Sequence, residues 1–375
     1  MVKKRRIISI LGVLIGIAVL LIALGVIFRG SLLGIAANGA DYVLRPLIGE
    51  ENTIKVESVL FGLEDKVNQI HQTAPASADA VFNTVGVTTG QLTGKMMLTP
   101  IKALTDLKPF PNEGVWTAMP AAQFPGQEVM AKTLIHVDSH RSYAYAAIVK
   151  LDMSKLGIGT VAGIKQPGGP IGNPGVGKVP PEIADSNQLV AAFDGGFQYR
   201  DGAYGMVVDG KTYVPLRHNL ATMFITNKNQ ASIMEYHGGP IPSNVIAIRQ
   251  NGPLLVQDGQ ITSFTEQGKD TWGRTVTNSM YTWRSGIGVT RDGNLVYAVG
   301  PSLVPQTLAL ALQAAGAVNA MQLDINPYWV RFVLFNPLAV NGTYQSVSLL
   351  KNMQNGGTSY LHGYQKDFFY IFGRS

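Results

Sequence analysis

Short apolar runs broken by polar turns fill most of the second half of this chain. Runs at 189–193, 205–208, 212–215, 222–226, 232–235, 245–249, 254–257, 287–290, 295–299 and 320–323 have the length and residue types of β-strands. Asp209-Gly210, Asp258-Gly259 and Asp292-Gly293 lie between several of them. Asp-Gly between apolar runs marks a hairpin, because glycine accepts the positive φ such turns require. Earlier in the chain, 132–137 and 142–151 pattern as two hairpin strands around a turn at 138–141, and 367–372 is an aromatic strand. One clear helix is expected at 305–315, with Leu308, Leu312 and Ala315 on one face and Gly316 just past its end.

Two further segments complete the layout. Residues 54–70 place apolar positions near i, i+3 and i+4, as an amphipathic segment does. Residues 7–28 are apolar and uncharged. At about 1.5 Å per residue such a run reaches about 33 Å, enough for a hydrocarbon core of about 30 Å. Lys3, Lys4, Arg5 and Arg6 precede it, which places that end on the cytoplasmic side. A cleaved signal peptide is the alternative; either way the remainder is expected outside the cytoplasm. The expected organisation is therefore a basic cytoplasmic tail at 1–6, a single-pass anchor at 7–28, a juxtamembrane helical and linker region at 29–108, and a globular domain at 109–375. The expected fold class is α+β: a mixed, largely antiparallel sheet domain with packed helices, preceded by one N-terminal transmembrane helix.

Composition narrows the chemistry. The chain has no cysteine, which excludes disulfides, thiolate zinc sites and a cysteine nucleophile. The formal charge of +6 owes four positive charges to the N-terminal cluster, so the rest is no electrostatic footprint for nucleic acid. The Gly- and Pro-rich stretch 166–181 lacks the Gly-Lys-Ser/Thr ending of a phosphate loop and reads as an exposed loop. His136, Asp138 and His140 alternate as metal ligands on a strand do, but they fall where a strand ends and a turn opens. No metal or other cofactor is expected.

Asp194 closes one strand and is followed by Gly195 and Gly196, which permit a sharp turn. Asp324 closes another, and Arg284 opens a third. A carboxylate at the end of an apolar strand is expensive to bury without a partner, and Arg284 is the natural one.

Several blocks, in order, carry a family resemblance. They are AAFDGGFQ at 191–198, AIRQNGPLLVQDGQIT at 247–262, RSGIGVTRDG at 284–293, TLALALQAAGAVNAMQLD at 307–324, and the loop after it. Together they resemble the phosphodiester glycosidase family, which includes an enzyme that uncovers mannose-6-phosphate from its N-acetylglucosamine phosphodiester, and many bacterial exported proteins. The resemblance implies a hydrolase of a sugar-1-phosphodiester, such as an envelope glycan, with 109–375 as its domain.

Within it, Asp194 and Asp324 are the catalytic candidates, the two carboxylates that glycoside hydrolysis commonly uses. Arg284 would grip a phosphate oxygen. Gly195, Gly196, Asn326, Tyr328, Trp329 and His218 complete the substrate-binding set, with Tyr328 and Trp329 stacking on a sugar face. Two departures stand out: Asp194 replaces the family's usual Asn, and Ile325, Asn326, Pro327, Tyr328 and Trp329 replace its glycine-rich loop. They keep a second expectation open, a non-catalytic carbohydrate- or envelope-binding module on the same fold.

Overall fold

The computed structural model describes residues 50–83, 96, 98–168, 174–273, 275, 279–353 and 356–374. Its frame is an eight-stranded sheet in the order β1-β2-β3-β14-β13-β15-β11-β12. These are β1 (Thr117–Met119), β2 (Met130–His136), β3 (Tyr145–Leu151), β11 (Leu254–Gln257), β12 (Gln260–Ile261), β13 (Thr282–Thr290), β14 (Leu295–Leu303) and β15 (Ala317–Ile325). A five-stranded sheet, β7-β6-β10-β8-β9, uses β6 (Met206–Val208), β7 (Lys211–Val214), β8 (Ala221–Thr226), β9 (Ala231–Glu235) and β10 (Val245–Gln250). A second, β17-β16-β5-β18-β4, uses β4 (Leu156–Val161), β5 (Leu189–Asp194), β16 (Phe332–Pro337), β17 (Tyr344–Ser348) and β18 (Phe368–Gly373).

Side-chain parity builds the layers, because successive residues of a strand face opposite sides. On the large sheet, Ile287, Tyr297, Val299 and Met321 share a core with Phe193, Phe332 and Phe369 of one small sheet and Met223 and Ile225 of the other. The opposite face, with Ile148, Val296 and Ala298, packs on the helix Pro305–Ala314 through Leu308 and Leu312. Gly286 makes room for that helix: a Cβ there would lie 3.0 Å from Leu312 Cδ1.

The expected α+β class with a transmembrane helix is corrected. Strand outweighs helix by 36% to 15%, and the pairings are antiparallel. Hairpin turns recur so closely that, between the strands, Pro305–Ala314 is the one described helix longer than about a turn. No helix among the described residues is long and apolar enough to cross a membrane. Residues 7–28, where the anchor is expected, lie outside the described residues. The segment 54–70 falls in a helix, Glu50–His71, of 22 residues. It is fastened to the β-body through Asp65, which accepts hydrogen bonds from Tyr143 Oη at 3.2 Å and from the Ser302 hydroxyl. Farther on, Phe82 is buried in the main core and bridges to Leu350.

Candidate active site

The site begins with Phe193, the residue before Asp194. Its ring stacks on Phe332 at 5.6 Å and 3° and meets Tyr297 at 5.1 Å. Such pairs add about 0.5–1.5 kcal/mol each beyond their buried area. They also fix the end of β5 and aim the Tyr297 hydroxyl. Tyr297 Oη donates to Asp194 Oδ1 at 3.0 Å, and the Arg331 N–H donates to the same oxygen at 3.0 Å. Ser285 Oγ donates to Asp194 Oδ2 at 2.5 Å. Three donors favour the ionised form, yet burial outweighs them and pushes the Asp194 carboxyl up to about 6.

Ser285 also reaches Asp324, since its Oγ accepts the Asp324 N–H at 3.1 Å. A bulge makes this possible. Between the pairings Arg284–Ile325 and Gly286–Gln322 the register shifts, so Leu323 and Asp324 both stand opposite the single Ser285. Bulges next to active sites re-aim side chains in this way. Here the bulge turns the Asp324 side chain toward a cleft of about 330 Å³.

That cleft is lined by Asp324, Asn326, Trp329 and Lys366, with Arg200, Asp201, Lys269 and Asp270 around them. Lys366 forms a buried ion pair with Asp324 Oδ2 and sits 4.8 Å from the centre of the Trp329 ring. Burial lowers the Lys366 ammonium to about 8, opposed by the charges of Asp367 and Asp194. Asn326 shapes the loop. Its φ is 71°, its Oδ1 accepts the Trp329 N–H at 3.3 Å, and its carbonyl accepts the Val330 N–H at 3.2 Å.

The remaining candidates stand elsewhere. Arg284 neighbours Ser285 and therefore faces the other side of the sheet, in a fully buried pocket. It donates to the carbonyls of Leu303, Trp272 and Met280 and to Gln322 Oε1, at 2.8–3.1 Å. Among the described residues it pairs with neither aspartate, which corrects the expected ion pair. Desolvation lowers it to about 9.

Gly195 and Gly196 are buried against a different ion pair. Arg249 grips Asp367 through Nε at 2.8 Å and Nη2 at 3.2 Å. A Cβ on Gly195 would fall 2.1 Å from Asp367 Oδ2, and one on Gly196 2.7 Å from Arg249 Cζ. Close approach, rather than φ, is what requires glycine here. Tyr328 is buried and edges onto Trp329 at 4.5 Å and 87°, behind the cleft wall. His218 is exposed beside Tyr236, at 5.8 Å, and is absent from the cleft lining. His136 is held by Glu113 Oε2 at 2.9 Å, and no three His, Asp or Glu of the described residues are placed to hold a metal.

Ser285, Tyr297 and Lys366 are participants that sequence reasoning missed. The one available signal was Lys366-Asp367, two adjacent charges at the head of an aromatic strand, where a solvated pair would be out of place.

Residues 187–324 match the phosphodiester glycosidase family. The matched segment contains Asp194, Ser285, Tyr297 and Asp324, and Lys366 lies beyond it. No curated protein matches the chain. Among solved structures, the chain is similar to the catalytic domain of zebrafish N-acetylglucosamine-1-phosphodiester alpha-N-acetylglucosaminidase, auto-inhibited by its pro-peptide. That likeness has 15% identity and a TM-score of 0.41, covering 69% of this chain and 88% of that one. It is also similar to a protein from Synechocystis, at 14% identity and a TM-score of 0.37, covering 68% of this chain and 64% of that one.

Proposed function

We propose that this protein hydrolyses a sugar-1-phosphodiester by cleaving the bond between the anomeric carbon and oxygen. The observation that carries the reading is the Asp324–Lys366 pair beside Trp329 in one cleft of the phosphodiester glycosidase segment and its neighbouring strand. Lys366, with Arg200 and Lys269 nearby, supplies positive charge for the phosphate. The indole of Trp329 offers a face to the sugar. When a phosphate oxygen shares the Lys366 ammonium, the Asp324 carboxylate can take a proton from the attacking water. Water adds at the anomeric carbon, the carbon–oxygen bond breaks, and the phosphate departs as a monoester. Asp194, sealed behind Ser285, acts as a positioning residue.

Incubation with sugar-1-phosphodiesters in ¹⁸O-labelled water tests this. The label should enter the sugar; label in the phosphate, or no turnover of any diester tried, would sink the proposal. Two observations favour the binding-module reading: Asp324 is already paired, and Asp194 does not line the cleft. Under that reading the diester binds and is never turned over. A location outside the cytoplasm belongs to the proposal and rests on the basic cluster and apolar run of 1–28. Protease added to intact cells should digest the domain.

A further inference from the structure

A second cleft, of about 550 Å³, lies between the helix Glu50–His71 and the β-body. Its volume falls within the range of about 300–1,000 Å³ usual for ligand pockets. Asn326 lines both this cleft and the one holding Asp324, so the two share a wall. Aromatic side chains are concentrated here: Phe61 from the helix, with Tyr143, Tyr281 and Trp283 from the β-body.

Two polar groups in the lining are unsatisfied. The Trp283 indole N–H, a donor, and Asn352 Oδ1, an acceptor, are buried without hydrogen-bond partners among the described residues. A buried polar group left unpaired is costly, so each calls for an explanation. Two residues of the lining also have positive φ. Ser302 and Asn326 line the cleft with φ values of 54° and 71°. Strain of this kind clusters at ligand sites. Of the charges at this cleft, Asp65 and the adjacent Arg141 are engaged, while Lys66 of the helix lines it at an exposed position. Arg141 lies 3.5 Å from the Tyr281 ring centre and donates to Tyr143 Oη at 2.7 Å, and Asp65 accepts from Tyr143 and Ser302.

We infer that this cleft is a saccharide subsite, binding neutral pyranose units of a glycan that continues from the sugar phosphodiester in the Asp324 cleft. A pyranose hydroxyl is both donor and acceptor, which answers one orphan of each kind. Its C–H faces pack on aromatic rings. With Asp65 engaged, the other charge in the lining is the exposed Lys66, so aromatic faces and neutral polar groups make up most of the wall. The substrate of the proposed reaction is then an oligomeric or polymeric glycan, and the helix Glu50–His71 is one wall of its binding site. This inference rests on the proposed function for its catalytic half only.

The test is titration of the full chain with neutral pyranose oligosaccharides of one to six units, built from glucose, mannose, galactose and N-acetylglucosamine. Calorimetry and tryptophan fluorescence are the readouts. Affinity for at least one series should rise tenfold or more from monomer to tetramer. Asn352→Ala and Trp283→Phe should each remove most of that gain. Asn68→Ala, a change on the helix wall that the fold tolerates, should weaken binding several-fold, and a thermal melt of each variant confirms folding. Absence of length-dependent binding in every series, or binding unchanged in folded Asn352→Ala and Asn68→Ala, overturns the inference. Oligosaccharide binding without turnover of any diester keeps the subsite and removes the hydrolase reading. Turnover of small diesters without gain from longer glycans does the reverse.

Discussion

Ser285 gives its hydroxyl proton to Asp194 at 2.5 Å and takes the N–H of Asp324 at 3.1 Å. One small side chain therefore ties together the ends of β5, β13 and β15. Ser285→Ala strands a buried carboxylate oxygen and a buried N–H at once. Each orphan costs about 1–3 kcal/mol, so the expected loss of stability is roughly 2–6 kcal/mol. Urea denaturation measures it. A loss below about 1 kcal/mol would mean the hydroxyl is not shared as described.

Asp194 should leave a signature in stability against pH. Its ordinary value is 3.8, and burial raises it to about 6 in the folded protein. Between those values the folded chain keeps a proton that the unfolded chain has released. Stability from this group is therefore full below about 4, falls as pH rises, and is lost above about 6. The change is on the order of 3 kcal/mol. Unfolding free energies from pH 3.5 to 7 should show this decline, and Asp194→Asn should flatten it.

Asp324 and Lys366 are separable by kinetics. Asp324→Asn removes the proton acceptor and should lower kcat by on the order of a hundredfold. Lys366→Met removes the ammonium and should chiefly raise KM for the diester. With Lys366 lowered to about 8, wild-type kcat/KM should decline above that pH as the ammonium deprotonates. A flat profile from pH 7 to 9.5 would take Lys366 out of phosphate binding.

Arg284 should behave as a structural residue. Arg284→Met leaves three buried carbonyls and the Gln322 amide oxygen without their donor. The expected cost is about 3 kcal/mol or more, with KM nearly unchanged in whatever folds. A stable variant with a raised KM would return Arg284 to the phosphate.

Gly196→Ala places a methyl group against the Arg249 guanidinium, which is bonded on its other sides to Asp367 and to the carbonyls of Phe197 and Gln250. Disrupting a buried pair of this kind costs about 3–5 kcal/mol. Loss of soluble, folded protein, or a large drop in melting temperature, is the expected result.

Much of the framework can be read along the chain. Leu254–Gln257 is a strand where alternation and Asp258-Gly259 place one, and the helix Pro305–Ala314 ends beside Gly316. These features are local, set by turn chemistry and residue type. β16 and β17 were not read from the sequence, although Asn341-Gly342 between 332–337 and 344–348 is itself a hairpin signal; the aromatic loop before them masks the start of β16. The site was only half legible. Asp194 and Asp324 announce themselves as acids closing apolar strands. That Ser285 rather than Arg284 meets Asp194 depends on which face of β13 is which, and a bulge opposite it decides how Asp324 is aimed. Lys366 reaches Asp324 only through the pairing of β18 with β5, a long-range contact without a local cue.

The placement of β5 has a kinetic meaning. It is bordered on both sides by strands, β16 and β18, that are made long after it. Phe193 and Asp194 therefore emerge during synthesis with neither neighbour present. Ordering so distant a pairing carries a loop-closure cost before any contact repays it. Until β18 docks, Lys366 is not beside Asp324, and the apolar faces of β5 are open to other chains. The assembly of this centre is thus a late, all-at-once event, and slow refolding with a tendency to aggregate should accompany it.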